Sequence, residues 1–260
     1  MADRLARWYR GADPHPDPAR QKRRRETAAL VNKSLMHDYA RARNIPLPRL
    51  YAAAQDVAAL DFASLPEHVV IKPNNSADSD CVMVFGDGVE HFSGRSVLPS
   101  QRAAFVREAF AKGRFLNHQT LILAEEFLRD HDPAYRIPRD YKIYVAGGQA
   151  HVILVVDRNH PRGQYRQSFH RPDWTVITDA FQTAHLPGPP SPPPARLPEL
   201  IGLAERIAAD IGCFMRLDFY ITPDRVVFGE FTPYPDAGTG YTRFGNHMLC
   251  NLMNEFPDEF

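Results

Sequence analysis

The stretch FMRLDFYITPDRVVFGEFTPYPDAGTG, residues 214–240, constrains this chain more than any other. Phe214, Leu217, Phe219 and Ile221 precede a turn at Pro223-Asp224, and Val226, Val227 and Phe228 follow it, which predicts a β-hairpin. Asp218 near the middle of the first strand and Glu230 at the end of the second then fall on neighbouring rungs. Because strand side chains alternate, Arg216, Asp218 and Tyr220 share a face. An acid and a base on one face, met by a second acid, suit a divalent cation and a polyphosphate, since hard cations take carboxylate oxygens and keep phosphates as further ligands. From the hairpin alone, a surface ion pair across two strands is an equally open reading.

Charge excludes one class. Lys+Arg and Asp+Glu both number 31, so the chain lacks the basic excess of a dedicated nucleic-acid binder. Its 260 residues, 44% hydrophobic, suffice for one large or two modest domains of a globular protein. Cys81, Cys213 and Cys250 form no CxxC pair, which argues against a disulfide framework or zinc site. No histidine or serine falls in an HExxH or GxSxG motif. The first residues carry no apolar leader and no run reaches the length of a membrane span, so the expected compartment is the cytoplasm.

Taken in order, residues 1 to about 25 read as a loose polar arm or a solvated helix start, ending in the basic cluster Arg20 to Arg25. Helical periodicity follows from Thr27 to about Arg43, with a short strand near Leu50. Val69 to Ile71 and Cys81 to Phe85 are strands around a polar loop, and Ser100 to Lys112 is a helix. Thr120 to Ala124 is a strand running into Glu125-Glu126-Phe127-Leu128. DYKIYVA at 140–146 and His151 to Val156 form a hairpin over Gly147-Gly148. The run PGPPSPPP at 187–194 is an exposed connection, Leu197 to Ile211 an amphipathic helix stopped by Gly212, and Phe244 to Phe256 a closing helix. Two groups of antiparallel strands with a few helices predict an α+β architecture with a cleft between lobes.

No Walker A, GxGxxG or protein-kinase signature occurs. Instead the chain carries, in order, VIKPN at 70–74, AEEFL at 124–128, DYKIYV at 140–145, DRN at 157–159, RLDFY at 216–220 and GEFTPYPDAG at 229–238. This set resembles the ATP-grasp superfamily, and within it the TupA-like branch associated with surface-polysaccharide biosynthesis, over roughly residues 30–245. The resemblance implies two α+β lobes with antiparallel sheets and ATP between them: an N-terminal arm and helix over 1–50, a small lobe over 51–124, and a large lobe with the metal site over 125–260. It places Lys72 at the ATP phosphates with Ser76 in the loop beyond. Backbone groups of Glu125, Glu126, Phe127 and Leu128 would lie along adenine, and Asp140 at the ribose. Lys142 becomes a second phosphate or substrate contact, and Arg158 stands near the reacting group. Arg216 would face the oxyanion, and Asp218, Glu230 and Thr232 would hold Mg²⁺.

The implied activity is an ATP- and Mg²⁺-dependent carboxylate–amine ligase acting through an acyl phosphate on an amino-acid or glycan-precursor acceptor, with an amine donor. A kinase acting on a hydroxyl and a non-catalytic nucleotide-binding protein are the alternatives. Two departures stand out. Thr232 occupies a position where many such enzymes carry asparagine, and the loop from Asn74 to Asp80 has no glycine. Few residues precede the first phosphate-site strand, so a partner subunit or a second copy can complete the acceptor pocket.

Overall fold

A computed structural model describes residues 17–75, 79–114, 116–161, 164–179, 181–183, 186–189 and 191–259. The chain enters through α1 (Pro18–Ala29) and α2 (Lys33–Ala42). Of the two readings of the basic run, loose arm or helix start, the helix start is the one found: Asp17 accepts from the Ala19 N–H, Pro18 needs no donor at the first turn, and Arg24 and Thr27 are buried. Asn32 breaks the single helix expected from Thr27 by capping α2, its Oδ1 accepting from the Ser34 and Leu35 N–H groups.

The first sheet has the order β1-β6-β2-β3-β4-β5, from β1 (Leu50–Ala54), β2 (Val69–Pro73), β3 (Met83–Gly86), β4 (Val89–Glu90), β5 (Arg95–Ser96) and β6 (Ile122–Glu126). Helix α3 (Arg102–Phe110) covers its inner face, where Val69, Ile71, Phe85, Val106 and Ala124 are fully buried. Alternation along β2 sends Val69 and Ile71 into that core and leaves Val70 and Lys72 on the other face.

The second sheet has the order β10-β9-β8-β7-β11-β12. It comprises β7 (Asp140–Ala146), β8 (Gln149–Asp157), β9 (Arg166–His170), β10 (Leu186–Pro187), β11 (Met215–Ile221) and β12 (Val226–Thr232), antiparallel except for the β9–β10 pair. Helix α4 (Leu197–Ile211), closed by Gly212 in the left-handed conformation (φ 57°), packs on one face through Leu200, Ala204 and Ile207. Helix α5 (Arg243–Glu255) packs on the other through Leu249, Leu252 and Met253. Covering both faces explains why β7 is buried along its whole length. The fold is α+β with two lobes, and Met36, Ala40 and Ile45 of the entering segment join the core of the second. No helix among the described residues is long and apolar enough to cross a membrane.

Candidate active site

A cleft of about 170 Å³ separates the lobes, lined by residues of β2, β6, β7, β11 and β12. The register of the second sheet sets its floor. Asp218 on β11 lies opposite Glu230 on β12 and opposite Lys142 on β7, so the three chains carry their charges on a single rung. Arg216, one alternation away, lies opposite Thr232. A bulge between Asp218 and Phe219 skips Gly229, where a Cβ would sit 3.2 Å from the Asp218 carbonyl oxygen and 3.0 Å from the Tyr220 ring.

Every cation in the cleft stands beside an acid. The Asp218 carboxylate accepts from Arg216 Nε at 2.9 Å and Nη2 at 3.1 Å, and from Lys142 Nζ. Arg216 Nη2 also donates to Thr232 Oγ1 at 3.2 Å. Arg158 Nε meets Asp140 at 2.6 Å, Lys72 Nζ meets Glu125 Oε2 at 2.6 Å, and Lys33 Nζ lies 3.6 Å from Glu230. Burial pushes the Asp218 carboxyl up, but the charges of Arg216 and Lys142 outweigh it and hold the group below the usual carboxylate range. Asp140 is depressed likewise, burial being overcome by Arg158 and Lys142. Tyr220, buried beside Asp140, is driven well above the ordinary phenol value.

The other end of the cleft is apolar. The β6 ladder ends at Glu126, paired with Val69, and the next residues leave the sheet. Leu128 is buried, and Phe127 lies between the rings of His68 and His91, with centroids 5.5 and 5.6 Å away. Val70, Val84 and Ile137 complete an apolar slot beside them. The side chains of Glu125 and Glu126 point elsewhere: Glu125 to Lys72, and Glu126 to Arg225 at 2.7 Å and the Arg49 N–H at 3.0 Å. Any contact those two residues make along the slot is therefore through their backbone.

Of the residues singled out in the sequence, Lys72, Glu125 to Leu128, Asp140, Lys142, Arg158, Asp218 and Glu230 all line this one cleft. Arg216 and Thr232 lie one rung away. Ser76 lies outside the described residues. In the glycine-free loop, Ser79 and Cys81 adopt the left-handed conformation (φ 57° and 56°) that glycine would supply. Asp80 turns its carboxylate to the Arg114 N–H at 2.7 Å.

Sequence reading missed Lys33. It is the first residue of α2, and its amide donates to the Asn74 carbonyl at 3.0 Å, which docks the helix start against the end of β2 and carries the side chain into the cleft. Its signal was faint: a polar residue at a helix cap looks like a solvated one.

Two lobes of mixed helix and antiparallel sheet, facing across a cleft with lysines above an acid pair, define the ATP-grasp class of fold. The chain belongs to the TupA-like ATPgrasp family, whose profile matches residues 18–252. Among solved structures, D-alanine–D-alanine ligase from Bacillus anthracis complexed with ATP is similar at a TM-score of 0.54 and 11% identity, over 88% of this chain and 65% of that one. The Helicobacter pylori D-alanine–D-alanine ligase is similar at 0.51 and 16%, over 88% and 61%. This chain thus spans about three fifths of the length of the ligase from H. pylori. No curated protein sequence matches it.

Proposed function

We propose that the chain is an ATP-dependent carboxylate–amine ligase working with Mg²⁺. The observation that carries this reading is the single cleft joining an apolar slot, four cations (Lys33, Lys72, Lys142, Arg158) and the Asp218–Glu230 rung, with Arg216 one rung away. Adenine fits the slot between Val70, Val84, Leu128 and Ile137, against backbone groups of Glu126 to Leu128. In this reading Asp140 would take the ribose hydroxyls, and Lys72 and Lys33 the phosphates, a triphosphate exchanging with the acids that now hold them.

The donor set fits Mg²⁺: two carboxylates paired on one rung with the Thr232 hydroxyl nearby, hard oxygens that leave coordination positions for phosphate. Among the described residues no third acid or histidine joins them to make an all-protein cage, as suits a metal brought in with its nucleotide. Asp218, Glu230 and Thr232 would hold Mg²⁺, which would supply positive charge against the phosphates. Lys142 lies where it can release Asp218 and steady the transferring phosphoryl group. The acceptor carboxylate attacks the γ-phosphorus and ADP leaves. The amine then adds to the acyl phosphate, Arg216 holds the tetrahedral oxyanion, and phosphate departs as the amide forms.

The family's association with surface polysaccharides points to an amino-acid or uronic-acid acceptor used on the cytosolic side, with residues 51–124 as small lobe, 125–260 as large lobe and a partner or second copy completing the acceptor pocket. The test is ADP release with Mg·ATP against a panel of amino acids and uronic-acid sugars, with product mass. An amide product supports the reading. A stable phosphorylated product formed without amine would make the protein a kinase, and nucleotide binding with no turnover on any acceptor would make it a binding protein.

A further inference from the structure

Behind the phosphate-side lysine lies a buried cluster that the reading above does not use. One turn after Lys33, on the same face of α2, His37 points into the first lobe and is 3% exposed. Its Nε2 lies 3.5 Å from Oε1 of Glu125, a residue 1% exposed. That distance is too long for a hydrogen bond, and neither atom has another partner. The second carboxylate oxygen of Glu125 is held by Lys72 at 2.6 Å. Glu125 is thus a buried anion with one filled side and one side facing an unsatisfied imidazole nitrogen.

Two facing polar atoms without partners are costly in a core, and native structures rarely keep them without use. Lys72 is the only one of the three with appreciable access to the cleft, its side chain being 15% exposed. If Lys72 turns to a phosphate, Glu125 becomes a buried carboxylate with no cation, an arrangement proteins avoid. We propose that His37 is a positioning residue of the nucleotide site, closing onto Glu125 when Lys72 moves to a bound triphosphate. The proposal rests on the reading of Lys72 given above.

The groups facing His37 make this a protonation event. Burial lowers the imidazole below its ordinary value; Glu125 on β6 and Asp38 on α2 raise it, and Lys72 on β2 and Arg41 on α2 lower it. Withdrawing Lys72 removes a lowering charge and leaves Glu125 unneutralised, so nucleotide binding draws a proton onto His37.

The test is calorimetric binding of a non-hydrolysable, β,γ-imido analogue of Mg·ATP in two buffers of different ionisation enthalpy at about pH 7.5, with His37→Gln and His37→Leu as comparisons. Wild type should take up about 0.5 proton or more per nucleotide and His37→Gln none, with affinity kept within ~3-fold because the amide can still donate to Glu125. His37→Leu should bind ~10-fold or more weakly, while its melting temperature without nucleotide stays within ~2 °C of wild type or rises, because no hydrogen bond is lost there. Nucleotide binding by wild type with no proton uptake, or uptake retained in His37→Gln, or unweakened binding by His37→Leu, overturns the role of His37 and leaves the ligase reading standing. A His37→Leu protein that melts well below wild type without nucleotide shows a merely structural histidine. Failure of wild type to bind the nucleotide at all overturns both.

Discussion

Asp218 and Glu230 face each other across one rung, yet removing each charge has different consequences. Asp218 is buried and holds Arg216 and Lys142 together. Asp218→Asn leaves two buried cations side by side, and we expect a loss of ~3–5 kcal/mol in urea unfolding along with activity. Glu230 is a third exposed and lies 3.6 Å from Lys33. Glu230→Gln should therefore change stability by less than ~1 kcal/mol and lower turnover by ~100-fold or more, measured as ADP release beside a melting curve. An active Glu230→Gln protein would remove this acid from the metal site. The depressed carboxyls also set an acid limit. Asp140 and Asp218 have folded values below their unfolded ones, so the stability they supply is complete above about pH 4 and is lost as pH falls through the folded values. Asp140→Asn should flatten the fall of unfolding free energy below about pH 4, followed by urea titration at successive pH values.

At the scale of elements, the hairpin depends on its missing side chain at position 229. A Cβ there meets the Asp218 carbonyl at 3.2 Å and the Tyr220 ring at 3.0 Å, so Gly229→Ala must splay β11 from β12 or move the ring. We expect ~1–3 kcal/mol of destabilisation by calorimetry, with a higher Mg²⁺ requirement as Glu230 shifts against Asp218. Legibility in the sequence followed the same physics. β7 and α4 were readable to the residue because period-two and helical patterns run uninterrupted between a polar start and a glycine. Strand β9, RQSFH, was missed because its polar residues are held extended by pairing with β8, a partner that no local pattern reveals. Asn32 was read as part of a helix, whereas its side chain starts a new one. The acids and bases of the cleft were legible because strand alternation aligns Arg216, Asp218 and Tyr220 within one segment. Lys33 and His37 were not, because only tertiary packing brings α2 against β2, β6 and β12.

Across the whole molecule, α1 and α2 belong to the body of the protein. Met36, Ala40 and Ile45 are at most 5% exposed and join the core of the second lobe, while Lys33 and His37 reach Glu230 and Glu125. Deleting the chain through Arg43 should give a protein that loses its cooperative melt in far-ultraviolet dichroism, since several buried apolar contacts go together.

The chain passes between lobes twice, through residues 43–49 and again through 127–139, and hydrogen bonds beside these crossings tie the lobes to each other. The Arg49 carbonyl accepts from the Glu126 N–H at 2.8 Å, the Pro46 carbonyl accepts from the Phe228 N–H at 2.8 Å, and Glu126 ties Arg225 of the second lobe at 2.7 Å. Two pins a few residues apart leave a door one axis to turn on. Such a joint favours a swing over a slide, so an opening of the cleft would carry Lys72 on one leaf away from Asp218 and Glu230 on the other about that edge.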